Sequence, residues 1–138
     1  RRAAETARHR RALTAHHCSD TVGMIMRLTS EIWVKALLRR IFSDGLFAVV
    51  ERQGSPEAGA IFIRVRRRDG LEMLFGPAPQ SMFDTAKPSD RSFELRLEAG
   101  QAAEVDAVLD RERNFDPDVW VVEIEADEPE RYLSIMPA

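Results

Sequence analysis

A segment near the end of the chain, residues 113–125, constrains the fold more than any other, because a helix, a tight turn and a strand meet there. Asp116 can accept a hydrogen bond from the backbone two residues further on, and Pro117 cannot continue a helix, so together they predict a turn. Residues 119–125 are rich in β-branched and aromatic side chains that alternate with charged ones, which predicts a strand with one buried face. The residues predicted on that face are Trp120, Val122 and Ile124.

The composition indicates one folded domain. The 138 residues are 44% hydrophobic and 31% charged, which suits a single two-layer domain and argues against a disordered chain. No apolar stretch approaches the roughly 20 residues that a membrane-spanning helix needs. Cys18 is the only cysteine, so no internal disulfide can form and nothing requires an oxidising compartment. We therefore predict a cytoplasmic protein without a membrane span.

The charge differs between the first 25 residues and the rest of the chain. Residues 1–25 contain five arginines and two acidic residues, a net charge of +3, and we interpret them as a basic extension outside the domain, with Met26 as the natural start. Of the 20 basic and 23 acidic residues in the whole chain, 15 and 21 follow residue 25, a net charge of −6. This acidic body argues against nucleic-acid binding. The extension also holds all three histidines beside Cys18, but adjacent histidines lack the usual spacing of metal ligands, so we predict no metal site.

The first regular element after the extension is a helix. Thr29 or Ser30 should act as its N-cap, and Asp44-Gly45 should end it. Its apolar residues recur at helical spacing and predict one buried stripe. The stripe consists of Trp33, Val34, Leu37, Leu38 and Ile41.

Strand patterns dominate the remainder. The predicted elements are strands at residues 46–52, 59–68, 71–75 and 92–98, a helix at 101–113, the strand at 119–125 and a short edge strand at 131–136. The first three strands should form an antiparallel meander, because Asp69-Gly70 is a strong hairpin signal. We predict an α+β fold in which an antiparallel sheet of about five strands carries two helices on one face and is charged on the other.

Residues 77–91 contain three prolines and several small polar residues without a sustained periodicity, which predicts a loop. A loop of this length is uncommon in a compact domain and is usually either a functional lid or a mobile segment.

The strand at 59–68 carries the first candidate binding site. If its aliphatic residues face the core, then Phe62, Arg64, Arg66 and Arg68 share the opposite face. Such a row of guanidinium groups suits a phosphate or carboxylate ligand. The alternative is that glutamates on neighbouring strands pair with the arginines across the sheet. These glutamates are Glu51, Glu72, Glu94, Glu98, Glu123 and Glu125.

Asp116 and Asp118 form the second candidate site, since two carboxylates flanking a proline could present oxygens to a metal or a water. The alternative is a structural turn in which Asp116 bonds the backbone. A hard cation needs more oxygen ligands than this segment offers, so we predict neither a metal nor a cofactor here.

Four strings after residue 25 resemble a known family. They are MRLTSEIWVKALLRR from Met26, EAGAIFIRV, LFGPAPQ and the closing RERNFDPDVWVVEIE. Together they resemble the bacterial domain of unknown function 1491 family over residues 26–138. The resemblance implies a small soluble bacterial protein, and it brings no catalytic residues with it.

Two functions follow as hypotheses. The first is a non-enzymatic binding module that holds a protein partner or an anionic ligand on the charged sheet face and the loop at 77–91. The second is a small enzyme in which Asp116, Asp118 or Asp84 acts as a general base on an anionic substrate anchored by Arg64 and Arg66. After residue 25 the chain has no histidine, the commonest general acid and base, which favours the module. The oligomeric state is left open.

Overall fold

The computed structural model describes residues 28–79 and 91–137. The elements, in chain order, are helix α1 (Ser30–Ser43), strands β1 (Phe47–Arg52), β2 (Ile61–Arg66), β3 (Glu72–Pro77) and β4 (Ser92–Gly100), helix α2 (Ala102–Phe115), strand β5 (Trp120–Glu125), a 3-10 turn (Pro129–Arg131) and strand β6 (Ser134–Ile135). The predicted α+β fold with two helices is confirmed. Neither of these helices has the length and hydrophobicity needed to cross a membrane.

The strands form one mixed sheet of six strands in the order β1-β5-β2-β3-β4-β6. β1 is antiparallel to β5, and β3 is antiparallel to both of its neighbours, β2 and β4. The β2–β5 and β4–β6 pairs are parallel. The prediction of an antiparallel sheet is therefore wrong for these two pairs. The six strands are the five predicted ones together with the predicted short edge strand, which is β6.

β5 lies between β1 and β2, so the predicted meander of the first three strands is wrong for β1. The loop between β1 and β2 is fixed to the start of β5, because the Ser55 N–H donates to the Asp118 carbonyl at 3.0 Å and the Trp120 indole donates to the Ser55 carbonyl at 2.7 Å. A Cβ atom on Gly54 would lie 2.2 Å from the same Asp118 carbonyl, so only glycine allows this approach. These contacts place β5 beside β2, where the meander would place β1.

The two helices pack on opposite faces of the sheet, so the prediction that both lie on one face is wrong. The α1 side is a core cluster that includes Val34, Leu37, Ile41, Ile63, Phe75, Val122 and Ile124. The α2 side is a second cluster of Phe62, Leu74, Val105, Leu109, Val119 and Val121. The cause lies at β5, where Val121 and the preceding residue, Val119, give an apolar second face that needs its own cover. The burial of Trp120 is confirmed.

β4 does not keep one face toward the core. Phe93 belongs to the α1-side cluster, Leu97 packs on the α2 side, and Leu95 is 39% exposed. Two register shifts against β3 interrupt the strand, and each bulge changes the face to which the following side chains point. The predicted alternation of these three residues is therefore broken by bulges.

Thr29 is the N-cap of α1, as predicted, and its hydroxyl accepts a hydrogen bond from the Ile32 N–H. The next residue, Ser30, is fully buried and donates its hydroxyl to the Gly59 carbonyl at 2.7 Å. The start of α1 is thus bound to the same loop that holds β5. This loop links α1 to the middle of the sheet.

Candidate functional site

Arg64 is the centre of an ion network between the sheet and α2. Its Nε donates to Glu72 Oε1 at 2.8 Å, and its Nη1 donates to Asp106 Oδ1, also at 2.8 Å. Nη1 also lies 3.3 Å from Glu51, and Nη2 donates to the Ala102 carbonyl at 3.3 Å. The arginine is 6% exposed. β2 therefore supplies the cation, while β1, β3 and α2 supply the acceptors.

Burial and charge compensation determine the electrostatics of this network. Burial alone lowers the pKa of Arg64, but hydrogen bonds to Glu72 and Asp106 and the charge of Glu51 outweigh it, so the pKa lies above its ordinary value. Glu72 is 1% exposed and needs a cation beside it. At the edge of the network, burial raises the pKa of the Glu123 carboxyl, which the charge of Arg66 opposes. Arg64 is therefore charged and committed to carboxylates of its own chain.

The other predicted residues of the arginine row do not share one open surface. Phe62 is buried under α2, with the Arg96 guanidinium 5.6 Å from its ring centre. Arg66 contacts Glu123 at 3.2 Å, and the exposed Arg68 contacts Asp127 at 3.1 Å. The prediction of a charged outer face is wrong at Phe62 and Arg64, which α2 covers, whereas Arg66 and Arg68 remain exposed. Glu51, Glu72 and Glu123 are among the glutamates that the alternative interpretation named as pairing partners.

Asp116 and Asp118 form the structural turn that was one of the two sequence interpretations. The Asp118 N–H donates to Asp116 Oδ1 at 3.0 Å, and the Asp116 N–H donates to the Glu112 carbonyl at 2.8 Å, which ends α2. Within residues 28–79 and 91–137, no group of three or more His, Cys, Asp or Glu side chains could hold a metal ion. Asp84, the other proposed base, lies outside the described residues, as do residues 80–90 of the predicted loop.

Sequence reasoning missed Arg52. A register shift separates Val50, which pairs with Val122, from Arg52, which pairs with Val121. Since Val121 faces α2, the bulge at Glu51 turns Arg52 to the α2 face, whereas simple alternation places Arg52 with Val50 on the α1 face. No local pattern in the sequence marks this bulge.

Arg52 lines a cleft of about 70 Å³ between β1, β5 and α2. The residues around this cleft are Glu51, Arg52, Asp106, Leu109, Asp110, Arg113 and Val121. The Arg52 Nη2 donates to the Pro117 carbonyl at 3.2 Å. Its Nε is buried without a hydrogen-bond partner in the described part of the chain.

The outer edge of β1 adjoins the cleft and is apolar. β1 is the first strand in the sheet order, and it pairs only with β5 among the described strands. Phe47 is 49% exposed and Val49 is 38% exposed. Alternate backbone groups of an outer antiparallel strand point away from the sheet. No hydrogen bond between these groups and other described residues is found outside the β1–β5 ladder.

Comparison with known proteins places this fold in a family. The family model "Protein of unknown function (DUF1491)" matches residues 28–134. The chain is 51% identical to a protein from A. tumefaciens with a solution structure, at a TM-score of 0.73, over 82% of this chain and 98% of that one. It is 34% identical to a DUF1491 family protein from Caulobacter crescentus with a crystal structure, at a TM-score of 0.65, over 81% of this chain and 100% of that one. No curated protein matches the chain. The resemblance seen in the sequence is confirmed, and the protein belongs to the DUF1491 family.

Proposed function

We propose that this protein is a non-enzymatic binding module that takes up an extended segment of a partner protein along the outer edge of β1. The observation that carries the proposal is the outer position of β1 together with the exposure of Phe47 and Val49. An added strand gains main-chain hydrogen bonds from such an edge and specificity from its alternate side chains. The proposal replaces the charged sheet face of the initial hypothesis with the β1 edge.

The opposite side of the sheet is less suitable for strand addition. β6 pairs with the first two residues of β4, and the rest of β4 contains two bulges. That part of β4 also carries Glu94, Arg96 and Glu98. Bulges and charges are the features that keep an edge strand from pairing with other chains. From Phe47 to Val50, β1 has neither.

A partner protein fits the β1 edge better than a second copy of this chain does. Consider two antiparallel β1 strands related by a two-fold axis, with Phe47 of one copy opposite Val49 of the other. Glu51 of each copy then lies opposite Gly45 of the other copy and away from its Arg52. The Arg52 guanidinium then gains no carboxylate from that strand. A strand from a different protein can carry apolar residues together with an acidic one.

The alternative function, a small enzyme, has less support. Its substrate was to be anchored by Arg64 and Arg66, and both side chains already contact carboxylates of their own chain. Its proposed bases, Asp116 and Asp118, form a turn at the end of α2. The arginines are therefore already neutralised by their own chain, and Oδ1 of Asp116 is occupied by the turn that it closes.

The test is capture of the partner with a matched pair of variants. The bait proteins are the wild type, Val49→Lys and Leu95→Lys, incubated with a lysate of the native host. The two variants introduce the same charge at similarly exposed positions, 38% and 39%, on the two outer regions of the sheet. We expect the captured protein to be retained by Leu95→Lys and reduced at least about tenfold by Val49→Lys, equivalent to about 1.4 kcal/mol.

Hydrogen exchange supplies the second readout. Added to the wild type, the purified partner should slow exchange of the β1 backbone amides, because they become hydrogen-bonded. Capture that is equal for the two variants, or amide protection confined to other strands, contradicts the proposal. A concentration-dependent dimer that Val49→Lys abolishes would assign the edge to a second copy and contradict it as well.

A further inference from the structure

Exposed apolar side chains are concentrated at the start of β1. Of the nine large apolar residues that are exposed in the described part of the chain, four lie within residues 42–49. They are Phe42, Leu46, Phe47 and Val49. Apolar side chains that cluster on a surface mark interaction sites, whereas single ones do not. The residues around this cluster should therefore indicate the chemistry of the partner strand.

The two faces of β1 have different surroundings. Ala48 belongs to the α1-side cluster, and Val50 packs against that cluster. Because side chains alternate along a strand, Phe47 and Val49 point to the α2 side, where both remain exposed. A strand that pairs with β1 continues both faces of the sheet. Its alternate side chains therefore meet the two surroundings separately.

The end of α1 makes the α1-side surroundings apolar. Gly45, at a φ of 76°, reverses the chain, so that its N–H donates to the Phe42 carbonyl at 3.0 Å and the Leu46 N–H donates to the Ile41 carbonyl at 3.1 Å. This turn holds Leu46 beside the last turn of the helix. Phe42 and Leu46 are 52% and 38% exposed. A partner side chain on the α1 side would therefore meet apolar groups.

On the α2 side, the surroundings at the Phe47 end are acidic. Glu125 of β5 pairs in register with Phe47, which puts their Cβ atoms about 5 Å apart. The Glu125 carboxylate is exposed and makes no ion pair or hydrogen bond with any residue that the structure describes. Its register neighbour in β2, Arg66, contacts Glu123 at 3.2 Å and Glu72 at 3.6 Å instead. Glu125 thus lacks a counter-charge within the described residues.

The wider ion network does not supply that counter-charge. On the α2 side of β1, β2, β3 and β5, and on the facing side of α2, five carboxylates stand against three guanidiniums. The carboxylates are Glu51, Glu72, Asp106, Glu123 and Glu125, and the guanidiniums are Arg52, Arg64 and Arg66. The Asp110–Arg113 pair adds no net charge. This excess of negative charge favours a cationic side chain at the open Phe47 end.

The spacing of the strands suits a lysine or an arginine. A partner strand would lie about 4.8 Å from β1 and therefore about 9.6 Å from β5. The long stem of either side chain can lie across Phe47 while its charged head reaches Glu125. The head then gains a cation–π contact with the Phe47 ring and an ion pair with the carboxylate. An aspartate or glutamate in the same place would be repelled.

We infer that the β1 edge selects an extended segment with apolar side chains on one face and a lysine or arginine opposite Phe47 on the other. The inference rests on the proposed strand addition, and it adds the sequence pattern that the module recognises. The apolar side chains lie on the α1 side with Phe42 and Leu46, and the basic side chain binds Glu125. In the two-fold pair described above, a second copy of this chain offers Val49 opposite Phe47 and supplies no cation.

Two synthetic peptides test this preference on the full-length protein. One alternates valine with lysine, and the other alternates valine with glutamate. Titrated into ¹⁵N-labelled protein, the lysine peptide should shift the β1 amide resonances and slow their hydrogen exchange. It should bind at least about tenfold more tightly than the glutamate peptide, and this difference should shrink at high salt. Equal binding of the two peptides, or binding of neither, overturns the inference.

Glu125→Gln removes the charge and keeps the size of the side chain. We expect binding of the lysine peptide and of the captured partner to weaken by about threefold to fivefold, the effect of losing a surface ion pair. The control is Glu98→Gln, at an exposed glutamate of β4 that has no ion pair with a described residue, and it should bind as the wild type does.

The two proposals fail differently in these experiments. Partner binding that depends on Val49 and is unchanged in Glu125→Gln overturns only the selection of a basic residue. A preference for the lysine peptide that Glu125→Gln abolishes, with amide protection on strands other than β1, overturns the strand addition instead.

Discussion

Single residues explain why the α2 face is closed. Glu72 is 1% exposed, and its carboxylate lies 2.7 Å from Arg64 but 3.6 Å from Arg66, so Arg64 is its main counter-charge. A buried ion without its partner costs several kcal/mol, which makes this pair a requirement of the fold. The sequence could indicate Glu72 as a candidate partner of the arginine row. It could not indicate that a helix would cover the pair, since no local pattern records which face α2 occupies.

Replacing Arg64 tests this account. Arg64→Met removes the cation that donates to buried Glu72 and leaves only the longer contact with Arg66 at 3.6 Å, and we expect the free energy of unfolding to fall by about 3–5 kcal/mol. The control is Arg68→Met, whose side chain is 91% exposed and pairs with Asp127, and its effect should stay within about 0.5 kcal/mol. Urea unfolding followed by tryptophan fluorescence measures both. An Arg64→Met variant as stable as the control would mean that the network does not compensate Glu72.

At the scale of elements, β5 determines where the helices lie. Trp120 and Val122 face α1, while Val121 and the preceding Val119 face α2, so the strand is buried on both sides. The alternation of aliphatic and charged residues predicts only the first of these faces. The second buried face could have been predicted from Val119 and Val121, because interior strands of mixed sheets are apolar on both faces.

A substitution in α2 measures how much the packing of this helix on the sheet contributes to stability. Leu109 is buried against the second cluster, and Leu109→Ala should lower the free energy of unfolding by about 2–5 kcal/mol through lost contacts and a residual cavity. Arg111→Ala, on the exposed side of the same helix, should change it by no more than about 0.5 kcal/mol. Urea titrations of the two variants provide the comparison. Equal stabilities would show that α2 is only loosely attached.

For the whole molecule, the sequence predicts local structure better than pairing. Helix positions and most strand positions follow from spacing, caps and turn residues, as Thr29 and Asp116 illustrate. The strand order depends on contacts between distant residues, such as Ile61 with Trp120, which no local periodicity encodes. The candidate site is harder still, because the orientation of Arg52 depends on a bulge that appears only when β1 pairs with β5.

The position of β5 predicts how the chain responds to truncation. A chain that ends at Phe115 lacks the strand that lies between β1 and β2, and the α1-side cluster loses Trp120, Val122 and Ile124. β1 then has no neighbouring strand, and we expect the truncated chain to be unfolded, with collapsed amide dispersion in a ¹H–¹⁵N spectrum. Residues 26–138 are the control, because the family match spans 28–134, and this fragment should keep the dispersed spectrum and the urea midpoint of the full chain. A folded fragment 26–115 would mean that the first four strands form a stable sheet without β5, and that the pairing of β1 with β2 is accessible after all.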